Sequence, residues 1–231
     1  MKIIWSLLAC ILVCTAPAFA QNEAELVKKV KAKLDRVRDY QASGRMKIDV
    51  SFINAPQSNV TIYYKKPNKF KVKKDGGISI LPKGGVSVNI SSLLMNDNYT
   101  VVPAGTATFR GFTTRVVKLL PLDENSDVVL TTLYLDEKDL VIRKATVTTK
   151  ESGTYEMELD FGKFTAWGLP DKVVFLFNTK DYKLPKGITF EYEKGNGDRK
   201  EKELNKKGKV EISYSSYTIN KGIDDNVFLA E

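Results

Sequence analysis

The 231-residue chain has no histidine and only two cysteines, Cys10 and Cys14. Without imidazole, neither the Ser-His-Asp nor the Cys-His nucleophile systems can be assembled. The usual zinc sites, built from histidine and thiolate, are excluded for the same reason. Catalysis would have to rest on carboxylates, lysines or tyrosines, and no metal or cofactor is expected. Long apolar runs are missing as well. The run from Ile3 to Val13 falls short of the roughly 20 residues that a membrane-spanning helix needs.

That run instead reads as a leader. Lys2 supplies the positive end and Ala18-Phe19-Ala20 the small-x-small pattern cut before Gln21. Residues 1–20 are therefore expected to be a cleaved signal peptide and residues 21–231 one domain. Leu7-Leu8-Ala9-Cys10 resembles a lipoprotein cleavage box, but it would leave an apolar run of only about six residues, against the roughly seven expected. Both cysteines fall inside the leader, so the exported chain would enter an oxidising compartment without a disulfide. Its stability must come from burial, which for one domain of this size removes about 70% of the unfolded surface from water. The formal net charge of +8 favours encounter with acidic surfaces such as anionic lipid headgroups or an acidic protein. It also serves solubility.

What the chain does have is pattern. Residues 22–42 carry Leu26, Val30, Leu34 and Val37 at helical spacing with charges around them. Asn22 would cap this helix, Glu23 and Glu25 would suit its positive end, and Gly44 would stop it. The apolar stripe either packs on a core or works as a cover. Beyond Gly44 the period becomes two. Met46, Ile48, Val50 and Phe52 alternate with polar residues, as do Val60, Ile62 and Tyr64, and then Phe70 and Val72 after the Pro67-Asn68 turn. Further strands are expected at 110–120, 128–135, 140–149, 154–161, 172–178, 187–193 and 209–219, with turn residues between most of them. Residues 76–108 resist assignment to helix, lid loop or irregular strands, and 194–209 read as a charged loop.

The fold class is thus mainly β with one helix (α+β), and about ten or eleven antiparallel strands. So many twisted strands curl or split, and a single helix covers only part of one face. The apolar inner face is either filled by side chains or left hollow for an apolar ligand. Glu156, Glu158 and Asp160 are the densest carboxylates available for acid-base chemistry. Their spacing of two puts them on one wet strand face opposite Tyr155, Met157, Leu159 and Phe161, which is the ordinary pattern of a solvated outer surface. No catalytic residue is assigned. Glycosylation-like triplets begin at Asn59, Asn89 and Asn98, but such triplets arise readily by chance in strands rich in Asn and Thr. The basic and aromatic residues from Tyr63 to Lys74 do not point to nucleic acid in an exported chain.

Three stretches resemble the LolA-type carriers of outer-membrane lipoproteins. These are Leu34-Asp35-Arg36-Val37-Arg38-Asp39-Tyr40-Gln41-Ala42-Ser43; Lys65-Lys66-Pro67-Asn68-Lys69-Phe70; and the series Leu133-Tyr134-Leu135-Asp136, Leu159-Asp160-Phe161 and Gly168-Leu169-Pro170-Asp171. The resemblance implies an incomplete antiparallel β-barrel whose N-terminal helix covers the mouth of an apolar cavity for acyl chains. It implies a periplasmic monomer that shuttles lipoproteins between membrane-bound donor and acceptor proteins, with transient contact to anionic membrane surfaces. A lipid- or lipoprotein-sensing regulator on the same fold is the alternative. No cofactor is implied. The cavity-lining set is expected to be Leu34, Val37, Met46, Ile48, Val50, Phe52, Val60, Ile62, Tyr64, Phe70, Val72, Met157 and Leu159. Lys66 stands where the family has a basic residue that locks the lid. Val60, Ile62, Tyr64 and Lys66 share a strand face, so an inward apolar row would end in one ammonium at the rim. By pattern alone, Lys66 is one exposed turn lysine among many. Lysine also lacks the planar fork with which arginine bonds two carbonyls at once.

Overall fold

The computed structural model describes residues 18–49, 57–74, 90–94, 98–151, 153–178 and 207–229. Among these residues one α-helix, α1 (Ala18–Asp35), precedes ten strands: β1 (Asp39–Asp49), β2 (Ser58–Lys65), β3 (Lys69–Lys74), β4 (Tyr99–Phe109), β5 (Phe112–Pro121), β6 (Val128–Asp136), β7 (Val141–Thr149), β8 (Thr154–Asp160), β9 (Lys172–Asn178) and β10 (Lys207–Ile219). They form one antiparallel sheet in the order β3-β2-β1-β10-β9-β8-β7-β6-β5-β4, with β3 and β4 at its two edges. The expected incomplete barrel with a helical cover is the architecture observed. Val50, Phe52 and the strand expected at 187–193 lie outside the described residues.

Register makes one face of this sheet apolar across eight strands. Ile48 pairs with Val210, Val210 with Phe175, Phe175 with Met157, Met157 with Ala145, Ala145 with Leu133, Leu133 with Val117, and Val117 with Pro103. Directly opposed residues share a face, so this single row runs along the inner wall. Phe175, Met157, Ala145, Leu133 and Val117 within it are buried. The outer side of β8 carries the paired carboxylates. Glu158 and Asp160 meet Arg110, and Glu156 meets Lys144, as a solvated face with compensated charge should.

Two boundaries differ from the sequence reading. The helix ends at Asp35 rather than running to residue 42, and Tyr40 and Ala42 already belong to β1. Its last turn tightens through Arg36 N–H to Lys33 O and Val37 N–H to Leu34 O, three-residue bonds of the kind that close helices. Val37 keeps helical spacing from Leu34, yet it lies past the helix and is buried among β1 and β2 side chains. Asn220, with φ of 57°, pins the junction: its side chain accepts from Arg38 N–H and donates to Arg36 O. Gly44 stops no helix. It lies inside β1 opposite a bulge in β10, where Ser43 faces Ser216 and Gly44 faces Tyr214. A Cβ there would sit 2.5 Å from Ser213 O, so the close approach of the two backbones demands glycine.

At the other end α1 begins at Ala18, so Asn22 and Glu23 lie inside the helix and are not its cap or first turn. In the stretch left unassigned by pattern, the described residues form a short 3₁₀ turn at Ile90–Leu93 and the edge strand β4. β10 starts at Lys207, inside the segment read as loop. The C-terminal turn Asp225–Phe228 straps the β3 edge, with Asp225 held between Lys65 and Lys69.

Candidate functional site

The candidate site is the inner wall together with the helix that lies on it. α1 turns Leu26, Val27, Val30 and Leu34 inward, none more than 6% exposed. They pack on Val117, Leu119, Leu133, Leu135, Met157 and Leu159 of the sheet and on Ile90 and Leu94. Burying four such side chains contributes about 8 kcal/mol, at roughly 2 kcal/mol each. α1 also touches β4, and its C-terminal end reaches the β2–β3 turn, so it stretches across the open side of the sheet.

The sequence-derived set divides into two groups. Leu34, Met157 and Leu159 belong to the cluster under α1. Val37, Met46, Val60, Ile62, Tyr64 and Val72 form a second cluster on β1 to β3, joined by Leu169 and Ile212. Phe70 packs against both, and Ile48 lies at the margin of the second. Tyr217 packs on that cluster, meeting the rings of Tyr40 and Phe164 edge-on and that of Tyr214 at a tilt. Burial pushes the hydroxyls of Tyr40, Tyr214 and Tyr217 well above the ordinary phenol value, so these tyrosines stay neutral and packed at physiological pH.

In this arrangement the wall is covered. A crevice of about 120 Å³ remains at the C-terminal end of α1, lined by Leu34, Asp35, Tyr64, Lys66, Pro67 and Leu94 among others. That is below the roughly 300 Å³ at which ligand-sized pockets begin. A larger groove of about 610 Å³ beside the β10 bulge is lined by Ser43, Arg45, Asn59, Thr61, Ser213 and Ser215 among others. Its hydroxyls and amides suit polar partners rather than hydrocarbon. Among the described residues no group of His, Cys, Asp and Glu could hold a metal ion, and no described helix is long and apolar enough to cross a membrane.

Lys66 stands at the crevice. Its Nζ donates to the main-chain carbonyl of Asp35 at 2.7 Å and pairs with Asp35 Oδ1 at 2.7 Å. Asp35 is the last residue of α1, so this ammonium meets an unsatisfied carbonyl and the negative end of the helix dipole together. Desolvation would raise the Asp35 carboxyl, but hydrogen bonds from Lys31 and Lys66 outweigh it and hold the group below its ordinary value. A carboxylate held low stabilises the closed contact above the ordinary carboxylate range, and that contribution is lost as pH falls through the lowered value. With no histidine in the chain, the seating of α1 is expected to be constant from about pH 5 to 8 and to loosen only below about pH 4. Amide exchange of α1 across this range checks it. A transition centred near pH 6 would contradict the assignment.

The Gly168-Leu169-Pro170-Asp171 stretch positions the same end of the helix. Gly168 adopts φ of 69°, and a Cβ on it would lie 3.1 Å from Leu34 Cδ2, so glycine serves both the turn and the approach of Leu34. Leu169 fills the second cluster. Pro170 O accepts from the Tyr217 hydroxyl, and Asp171 Oδ2 accepts from Lys163 N–H.

Sequence reasoning missed one feature of the site. Glu23, assigned by pattern to helix-end electrostatics, is 5% exposed and pairs beneath α1 with Arg115 of β5 at 3.1 Å.

No protein-family profile and no curated protein sequence matches the chain. Solved structures do. A domain assigned to an outer membrane lipoprotein-sorting protein from Vibrio parahaemolyticus aligns with TM-score 0.52 and 13% identity, over 90% of this chain and 97% of that one. A LolA superfamily protein from Nitrosomonas europaea aligns with TM-score 0.54 and 9% identity, over 88% and 97%. A DUF1329 family protein from Desulfovibrio piger aligns with TM-score 0.54 and 11% identity, over 91% and 97%. At such identities the likeness is one of fold. An open ten-stranded sheet wrapped on an N-terminal helix is therefore, in this chain, the fold of the LolA-type lipoprotein-sorting proteins.

Proposed function

We propose that this protein is a periplasmic carrier that shields the acyl chains of lipoproteins on its inner wall, with α1 withdrawing as the chains enter. The observation that carries the reading is the covering of a continuous apolar wall by one amphipathic helix whose end is latched by Lys66. In this reading Leu34, Met157 and Leu159 belong to the part of the wall that α1 covers, and Met46, Val60, Ile62 and Val72 to its continuation on β1 to β3. The chemistry is binding, without a catalytic step.

Magnitudes favour exchange over simple filling. A chain of roughly fourteen methylenes gains on the order of 11 kcal/mol on burial, and displacing α1 gives back about 8 kcal/mol. A single chain thus nets about 3 kcal/mol, weaker than the roughly 4 kcal/mol of millimolar binding, and further chains of one cargo add to it because α1 is displaced only once.

Mass spectrometry of organic extracts from protein purified out of the bacterial envelope without detergent tests this. Acylated protein or peptide is expected in the extract, and more of it from Lys66→Met, whose latch is removed. Recovery of free lipid alone would move the reading to the lipid-sensing regulator. Absence of any acyl species from both proteins would refute a lipid site.

A further inference from the structure

The buried face of α1 carries one charge, and it is not fully satisfied. Glu23 Oε1 meets Arg115 Nη2 at 3.1 Å, with the two side chains 6% and 26% exposed. Glu23 Oε2 is buried with no hydrogen-bond partner among the described residues. Asp171, outside α1, likewise leaves Oδ1 buried without a partner among the described residues, while the buried charges of the sheet are answered. Asp136 pairs with Arg143, and Asp39 accepts from the amides of Lys221 and Gly222.

Arg115 stands on the apolar wall itself. It pairs in register with Leu135, which pairs with Ile142, and these two neighbours are 0% and 1% exposed. A buried ion pair in such surroundings is a weak source of stability, because desolvation consumes most of its Coulomb energy and apolar side chains would fill the space as well. Removing one partner is different: it strands a charge against the apolar wall. When α1 lifts, Glu23 leaves with it and Arg115 remains on the wall.

We infer that Arg115 is an anchor for the anionic group of an amphiphile lying along the inner wall, and that Glu23 takes the place of that group while α1 is seated. The inference rests on the lipid-binding wall of the reading above and adds the polarity of the ligand, which favours a free anionic lipid over the neutral ester- and amide-linked chains of a lipoprotein. The guanidinium can accept a carboxylate or a phosphate with its fork of donors, so a fatty-acid carboxylate and a phospholipid headgroup share the required chemistry. A neutral amphiphile of equal chain length offers nothing in exchange for Glu23.

The test titrates the delipidated full chain with palmitate, 1-palmitoyl lysophosphatidate and the neutral 1-monopalmitoylglycerol, with inorganic phosphate as a chainless control. Glu23→Gln removes the internal competitor and leaves Arg115. The double variant Glu23→Gln/Arg115→Met removes both charges, so neither is left stranded, and its melting curve confirms folding. On Glu23→Gln the two anionic lipids are expected to bind at least tenfold tighter than the neutral one. On the double variant all three are expected within threefold, with the neutral lipid unchanged. Whichever of carboxylate and phosphate binds tighter identifies the headgroup. Equal binding of anionic and neutral lipids to Glu23→Gln, an unchanged preference in the double variant, or displacement of lipid by inorganic phosphate alone would overturn the anchor and leave the lipid site standing. Failure of all three lipids to bind any form, Lys66→Met included, would overturn both.

Discussion

Leu34→Ala is expected to tighten binding of a sixteen-carbon acyl probe by about 30-fold. Leu34 is 6% exposed beneath the last turn of α1, packed with Leu94 and the strand residues of the first cluster and closely approached by Gly168. Truncating a buried leucine costs about 2–5 kcal/mol. If the helix and the ligand compete for one wall, that cost falls on the covered form alone. At the lower figure of about 2 kcal/mol, the exchange shifts by roughly 30-fold toward the ligand. Fluorescence titration of wild type and variant measures it. Unchanged or weaker binding would mean that Leu34 contributes to holding the ligand or that α1 does not compete.

The largest loss of stability is expected at a place with no role in binding. Asp136 Oδ2 accepts from Arg143 Nε at 3.0 Å and Nη2 at 2.7 Å, while Oδ1 accepts from the amides of Lys138 and Asp139. Arg143 is 4% exposed and lies 3.7 Å from the centroid of the Phe112 ring. Asp136→Ala strands this guanidinium with only the more exposed Asp139 carboxylate and frees two turn amides. A loss of about 3–5 kcal/mol is expected, which lowers Tm by roughly 10 °C in a chain of this length. The double variant Asp136→Leu/Arg143→Met should recover most of it, because the pair was itself costly to bury. A single-variant loss below about 1 kcal/mol in thermal melts would show that the pair is solvated.

Most of the sheet was readable because one face is buried and the other wet. β6, β8 and β9 match their expected ranges to within a residue, since slipping such a strand by one residue would expose its apolar set. β4 was not readable, for the converse reason. As an edge strand most of it is exposed, it carries Pro103 and Gly105, and its pairing with β5 shifts between Pro103 and Thr106. Such features leave a pattern reading undecided between loop and strand. Val37 extended the helical spacing by chance, and nothing local revealed that Asn220, far along the chain, closes the helix at Arg36.

The site was legible unevenly. The burial of its described apolar strand residues followed from alternation. Lys66 stood out only through the resemblance to a known family, because a turn lysine has no pattern of its own. Glu23 was visible but misread as a helix-end charge: three and four residues before Leu26 and Val27, it shares their buried face and meets Arg115.

A carrier of this kind requires that α1 and acyl chains occupy the same wall in turn. Amide hydrogen exchange of residues 26–34, measured with and without saturating palmitate, tests that most directly. Slow exchange is expected in the free protein and a loss of protection in α1 when ligand binds, while β7 and β8 stay protected. Protection of α1 that holds or rises in the bound protein would contradict it.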